Sequence, residues 1–126
     1  MKRVYKPLEE LSDDEIKSIL QANDTETLIT LPLSIGMYHM NWKYAQDTCV
    51  KLSEHSDPRV RANAILGLAY VARTHKKLEK HIVKPVILRA LKNDKEYEWR
   101  VKDAIEDINL FMNWDLGEFA LNKDNE

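Results

Sequence analysis

Four histidines (His39, His55, His75 and His81) and one cysteine (Cys49) are the side chains of this 126-residue sequence best suited to bind a metal or to act as base or nucleophile. Their spacing argues against both uses. No histidine lies four residues from another, the separation at which paired imidazoles hold zinc from one helical face. His75 and His81 flank a lysine-rich connector and read as solvated, while His39 and His55 fall near helix ends, where imidazoles commonly meet terminal carbonyls. Cys49 shares an apolar stripe with Trp42 and Ala45, the setting of an inert buried thiol. As a single cysteine it cannot form an internal disulfide, which points to a reducing, cytoplasmic compartment. There is no glycine-rich phosphate loop, no GxSxG and no dinucleotide fingerprint. The carboxylates of Asp13-Asp14-Glu15 and Glu106-Asp107 point to different sides of their helices and read as a favourable first turn or a solvated face. The expectation is a protein without catalytic residues, metal, cofactor or small-molecule substrate.

The elements that carry these residues are helices. With only three glycines, four prolines and 32% charged residues, the composition predicts an all-α protein. The length suits one domain over 1–126 that buries roughly 65–70% of its unfolded surface, with 1–12 and 115–126 as less ordered ends. Ser12 and Glu15 form a capping box ahead of Ile16, Ile19 and Leu20, a helix ending near Asn23. Asn23-Asp24-Thr25-Glu26 repeats that start signal ahead of Leu28, Leu31, Ile35 and Tyr38, and Pro32 is expected to kink or split that segment into two short pieces. Trp42, Ala45, Cys49 and Leu52 make a third stripe. Asp57 and Pro58 then open the longest helix, with Val60, Ala64, Leu68 and Val71 on one stripe and Ala62, Leu66, Ala69 and Ala72 on an adjoining one. Two stripes require neighbours on two sides. A basic connector leads to a fifth helix through Ile82, Val83, Val86, Ile87, Ala90 and Leu91. A last long helix runs from about Lys95 to Met112, and a further turn is expected through Leu116, Phe119 and Ala120. No stretch of eighteen apolar residues predicts a membrane span.

A shift of forty residues superimposes Ala64, Ile65, Leu68, Val71 and Ala72 on Ala104, Ile105, Ile108, Phe111 and Met112, a period typical of stacked helical hairpins. Asp57, Pro58, Val60, Arg61, Ala64, Leu68 and Ala72 follow the pattern of the HEAT-repeat family, which the chain resembles over residues 24 to 112. Trp99, Arg100 and Val101 only approximate its Val-Arg element. The resemblance implies a short HEAT-like α-α superhelix of about three hairpins, in which Arg61 bridges neighbouring repeats. Independently of any family, Ala62, Ala64, Gly67 and Ala69 suit close helix approach. An ordinary antiparallel bundle would bury the same stripes.

Positions on the second helices that face neither core nor neighbour are the candidate partner-binding residues: Arg59, Asn63 and Tyr70, then Trp99, Asp103, Glu106, Asp107 and Leu110. Exposed aromatics among charges are the types found in interface hot spots. A net charge of −2 gives no overall field for nucleic acid. Locally, the C-terminal third is acidic and suits a basic protein partner, whereas Arg73, Lys76, Lys77, Lys80 and Lys84 crowd the connector and fifth helix. In size, charge and absence of catalytic motifs the chain also resembles the small HEAT-like immunity proteins of contact-dependent growth inhibition systems, which neutralise a cognate toxin. That resemblance implies a basic toxin domain such as a nuclease as partner. A scaffold for protein complexes and a nucleic-acid-binding helical-repeat protein are the alternatives.

Overall fold

Four of the six α-helices among the described residues begin at a side chain that accepts a backbone N–H. The computed structural model describes residues 8–116. In it α1 (Asp13–Ala22) starts at Ser12, whose Oγ accepts the Glu15 N–H at 3.1 Å while the Glu15 carboxylate accepts the Ser12 N–H at 3.0 Å. Asp24 and Asn41 cap α2 (Thr25–Tyr38) and α3 (Trp42–Leu52). For α4 (Pro58–His75), Asp57 accepts the Arg59 N–H at 2.8 Å and Pro58 fills the first helical position, where no N–H is needed. α5 (Lys80–Asn93) and α6 (Glu98–Met112) lack a side-chain cap and are joined by a 3₁₀ turn, Lys95–Tyr97. α6 therefore begins three residues later than the sequence pattern suggested.

These helices pair as α1 with α2, α3 with α4 and α5 with α6, and the hairpins stack so that α4 lies between α2 and α6. Burial follows the repeat: Ala64, Ile65 and Leu68 on α4, and Ala104, Ile105 and Ile108 on α6, are fully buried. Phe111 and Met112, the counterparts of the buried Val71 and Ala72, are only half-buried because α6 closes the stack.

Small residues on α4 serve the α2 crossing. A Cβ on Gly67 would lie 2.7 Å from the Pro32 carbonyl oxygen and 2.8 Å from Cys49 Sγ, and one on Gly36 would collide with the Gly67 carbonyl. The two helices meet backbone to backbone. Pro32 does not split α2, contrary to the sequence expectation. It removes one bond from the helical ladder, but Leu28, Leu31 and Ile35 are buried on both sides of it and hold the flanking turns in register. Its carbonyl accepts the Cys49 S–H at 3.8 Å.

Polar contacts tie the hairpins together. Arg61 donates to both oxygens of Asp94, with the closest pair at 2.8 Å, and to the carbonyls of His55 and Ser56 at 2.9 Å. It thus fastens the α3–α4 turn to the end of α5, the bridging role the repeat implied. Gln46, fully buried on α3, donates to Glu79 at 2.9 Å and accepts the Glu79 N–H at 2.6 Å, pinning the α4–α5 connector. Near the C-terminal limit of the described residues, Asn109 brackets the backbone of buried Leu116, accepting its N–H at 2.8 Å and donating to its carbonyl at 3.0 Å. The turn expected through Phe119 and Ala120, and most of the ends expected to be less ordered, lie outside the described residues.

Candidate protein-binding face

The spacing of Trp99, Asp103, Glu106 and Leu110 places all four on one side of α6, opposite its buried Val101, Ala104, Ile105 and Ile108. All four are exposed, Trp99 at 60% and Leu110 at 73%. The stripe spans twelve residues of helix, ~16 Å, with an apolar side chain at each end and two carboxylates between. Asp103, Glu106 and Asp107 make no ion pair with any described residue. Asp103 and Glu106 thus face solvent with no ion-pair partner among the described residues. Asp107 sits around the side of the helix and is half-buried.

Trp99 is positioned from beneath. The Arg100 guanidinium lies 5.1 Å from the Trp99 ring centre and 5.4 Å from that of Tyr97. Arg100 also donates to Asn63 Oδ1 at 2.7 Å, and Asn63 in turn donates to the Ile29 carbonyl at 2.7 Å. This chain runs from α2 through α4 to α6 and ends under the exposed indole, restricting the side chain most suited to anchoring a partner. Asn63 was expected on the surface. It is instead 93% buried, because α2 and α6 close over it and use both ends of its amide, so it supports the face and does not form part of it.

The remaining predicted residues lie on α4. Arg59 is half-exposed and held by Asp57 at 2.9 Å and Glu26 at 3.5 Å. That pairing draws the Asp57 carboxyl down to about 2 and raises Arg59. Tyr70 is half-buried on the α2 side, its Cβ 3.0 Å from where a Gly36 Cβ would sit, with Arg73 stacked on its ring at 4.8 Å. The structure thus gathers Trp99, Asp103, Glu106 and Leu110 into one face, leaves Arg59 with Glu26 at the amino-terminal edge of α4 and sets Tyr70 apart. Sequence reasoning missed Arg100 and Tyr97, although the run Tyr97-Glu98-Trp99-Arg100 carries the aromatic and cationic side chains that stack. It also missed exposed Met40 in the α2–α3 turn, and Tyr38, expected on the apolar stripe, is exposed because it is the last residue of α2.

His39, His55 and His75 hold backbone or cap groups in place, and Cys49 is buried. His39 Nε2 lies 2.8 Å from Asp13 and its Nδ1 accepts the Asn41 N–H at 3.0 Å; His55 Nδ1 accepts the Asp57 N–H at 3.0 Å. Each orients the cap of the following helix. His75, expected in solvent, meets the His39 carbonyl at 2.8 Å because the carboxyl ends of α2 and α4 converge. Burial pushes the Cys49 thiol up to about 12. Among the described residues no three His, Cys, Asp or Glu side chains gather as a metal site. A cleft of about 350 Å³ between the second and third hairpins has its charges consumed internally, Arg61 by Asp94 and Arg89 by Glu54.

No protein-family model and no curated protein matches the chain. Its fold is similar to that of a chain in the crystal structure of a CDI complex from Cupriavidus taiwanensis, with a TM-score of 0.73 and 20% identity. The similarity covers 87% of this chain and 98% of that one. The stacked-hairpin architecture is thus shared over nearly the whole length of both. No helix among the described residues is long and apolar enough to cross a membrane.

Proposed function

We propose that this chain is an immunity protein of a contact-dependent growth inhibition (CDI) system, which binds a cognate toxin domain in the cytoplasm and neutralises it without turnover. The observation that carries this reading is the end-to-end likeness to a chain crystallised within a CDI complex. The α6 face supports it: a supported tryptophan and a leucine flank carboxylates that no described residue neutralises, the composition of a small hot spot for a basic surface. Trp99 and Leu110 seat in apolar sockets on the toxin, while Asp103 and Glu106 meet cations that would otherwise bind its substrate. Association is fast because the charges are complementary, and inhibition needs only that the site stay covered.

The test is to read the gene immediately upstream and, where it encodes a large exported protein, to co-express that protein's C-terminal domain with this chain. Co-purification as a stable complex, with growth restored to cells expressing that domain, is the expected result. Failure to protect and to co-purify would refute the assignment.

A further inference from the structure

The residues that the α6 face leaves unused include a long run dominated by positive charge. Between positions 76 and 93 there are six lysines and arginines and one carboxylate, in a chain whose net charge is −2. α5 itself carries Lys80, Lys84, Arg89 and Lys92 and no carboxylate at all. The one carboxylate within the run, Glu79, is engaged by Lys43 and Gln46. Lys80 reaches Asp115 at 3.9 Å and Arg89 reaches Glu54 at 3.6 Å. Lys76, Lys77, Lys84 and Lys92 are exposed and make no ion pair with a described residue.

This arrangement works against the helix that bears it, since Lys80 and Lys84 are like charges at i, i+4 and repel. Helix formation therefore does not favour that pair. The kind of ligand follows from what the strip lacks. The exposed large hydrophobic side chains among the described residues are Tyr38, Met40, Trp99 and Leu110, and none belongs to 76–93. A protein interface is centred on such anchors, whereas binding to a phosphate backbone needs only placed cations. Lysine, a compact point charge, suits single phosphate contacts.

We propose that the exposed cations of the run 76–93, Lys76 and Lys77 on the connector with Lys84 and Lys92 on α5, bind the sugar–phosphate backbone of a nucleic acid without reading its sequence. The strip lies on a different helix from the Trp99 face, so this binding does not depend on the toxin reading. The test is fluorescence anisotropy of a labelled 20-base-pair DNA duplex and of a single strand of the same length, titrated with the full chain at several salt concentrations. Labelled polyglutamate of matched charge serves as the carboxylate comparison. Both nucleic acids are expected to bind in low salt, with log K falling by about 0.9 per phosphate contact for the duplex and about 0.7 for the single strand per decade of salt. The variant K76Q/K77Q/K84Q/K92Q, with unchanged helical circular dichroism and melting, is expected to lose at least tenfold in affinity and most of the salt slope. Three results would overturn the proposal: no anisotropy change at 100 µM protein in low salt, binding undiminished in the quadruple variant, or polyglutamate binding as tightly as DNA.

Discussion

Replacing Gly67 by alanine tests the backbone contact on which the stack is built. In an exposed helix interior the change gains about 1 kcal/mol, because alanine is the better helix former and loses less backbone entropy. At Gly67 the new methyl would meet the Pro32 carbonyl oxygen at 2.7 Å and Cys49 Sγ at 2.8 Å. Ordinary contact starts near 3.4 Å, so each neighbour must retreat by 0.6–0.7 Å. The first is backbone in the middle of α2, and the second is a fully buried side chain. Overpacking of this kind costs about 1–3 kcal/mol and outweighs the propensity gain in all but the mildest case. The expected net loss is about 1 kcal/mol, read as a lower urea midpoint at unchanged slope. Cys49→Ala removes one of the two obstacles, so Gly67→Ala should cost less in that background, a positive coupling in the double-mutant cycle. Stabilisation of the single variant by about 1 kcal/mol, with no coupling to Cys49, would refute the close α2–α4 approach.

Three further outcomes follow from the polar interior and the titrating groups. Asn63→Ala leaves the Ile29 carbonyl and Arg100 without their partner and is expected to cost about 2 kcal/mol in urea unfolding, far more than a surface asparagine would. Cys49 should resist Ellman's reagent at pH 8 until the protein is unfolded. Because the folded thiol is held near 12 while an unfolded one titrates near 8.5, its contribution to stability is complete at neutral pH and declines as pH rises from about 8 towards 12. Asp57 has the opposite sign: its carboxyl is drawn down to about 2, chiefly by hydrogen bonding to Arg59. The stability it provides is present above about pH 4 and is lost between pH 4 and 2. Asp57→Asn should flatten that part of the acid limb of the urea-midpoint profile.

Helix starts and the repeat were legible because their signals are local. Ser12 and Asp57 each cap as their sequence context implied, the second start falls at Asp24 and not one residue earlier at Asn23, and the forty-residue shift pairs buried positions on α4 and α6. The α6 face was legible for a related reason: Trp99, Asp103, Glu106 and Leu110 are what helical periodicity leaves over once the core stripe is assigned. Asn63 was misplaced because a polar residue at the seam of three helices looks, in one helix alone, like a surface residue. Only the Ile29 carbonyl and Arg100, 34 and 37 residues away, explain its burial. His75 was misplaced likewise, since its carbonyl partner is 36 residues distant. Pro32 misled because the rule that proline breaks helices is local, whereas burial of the turns on either side is tertiary.

The account rests on α6 as the surface that covers a toxin, and calorimetric titration of the partner domain into the wild type and into W99A/D103K/E106K tests it most directly. Loss of one anchoring tryptophan costs about 2 kcal/mol or more, and reversal of two charges facing a basic partner adds to this. The account predicts a Kd raised about 100- to 1,000-fold, with circular dichroism and melting unchanged because all three side chains are exposed. A Kd within threefold of the wild type, in a variant that folds normally, would contradict it.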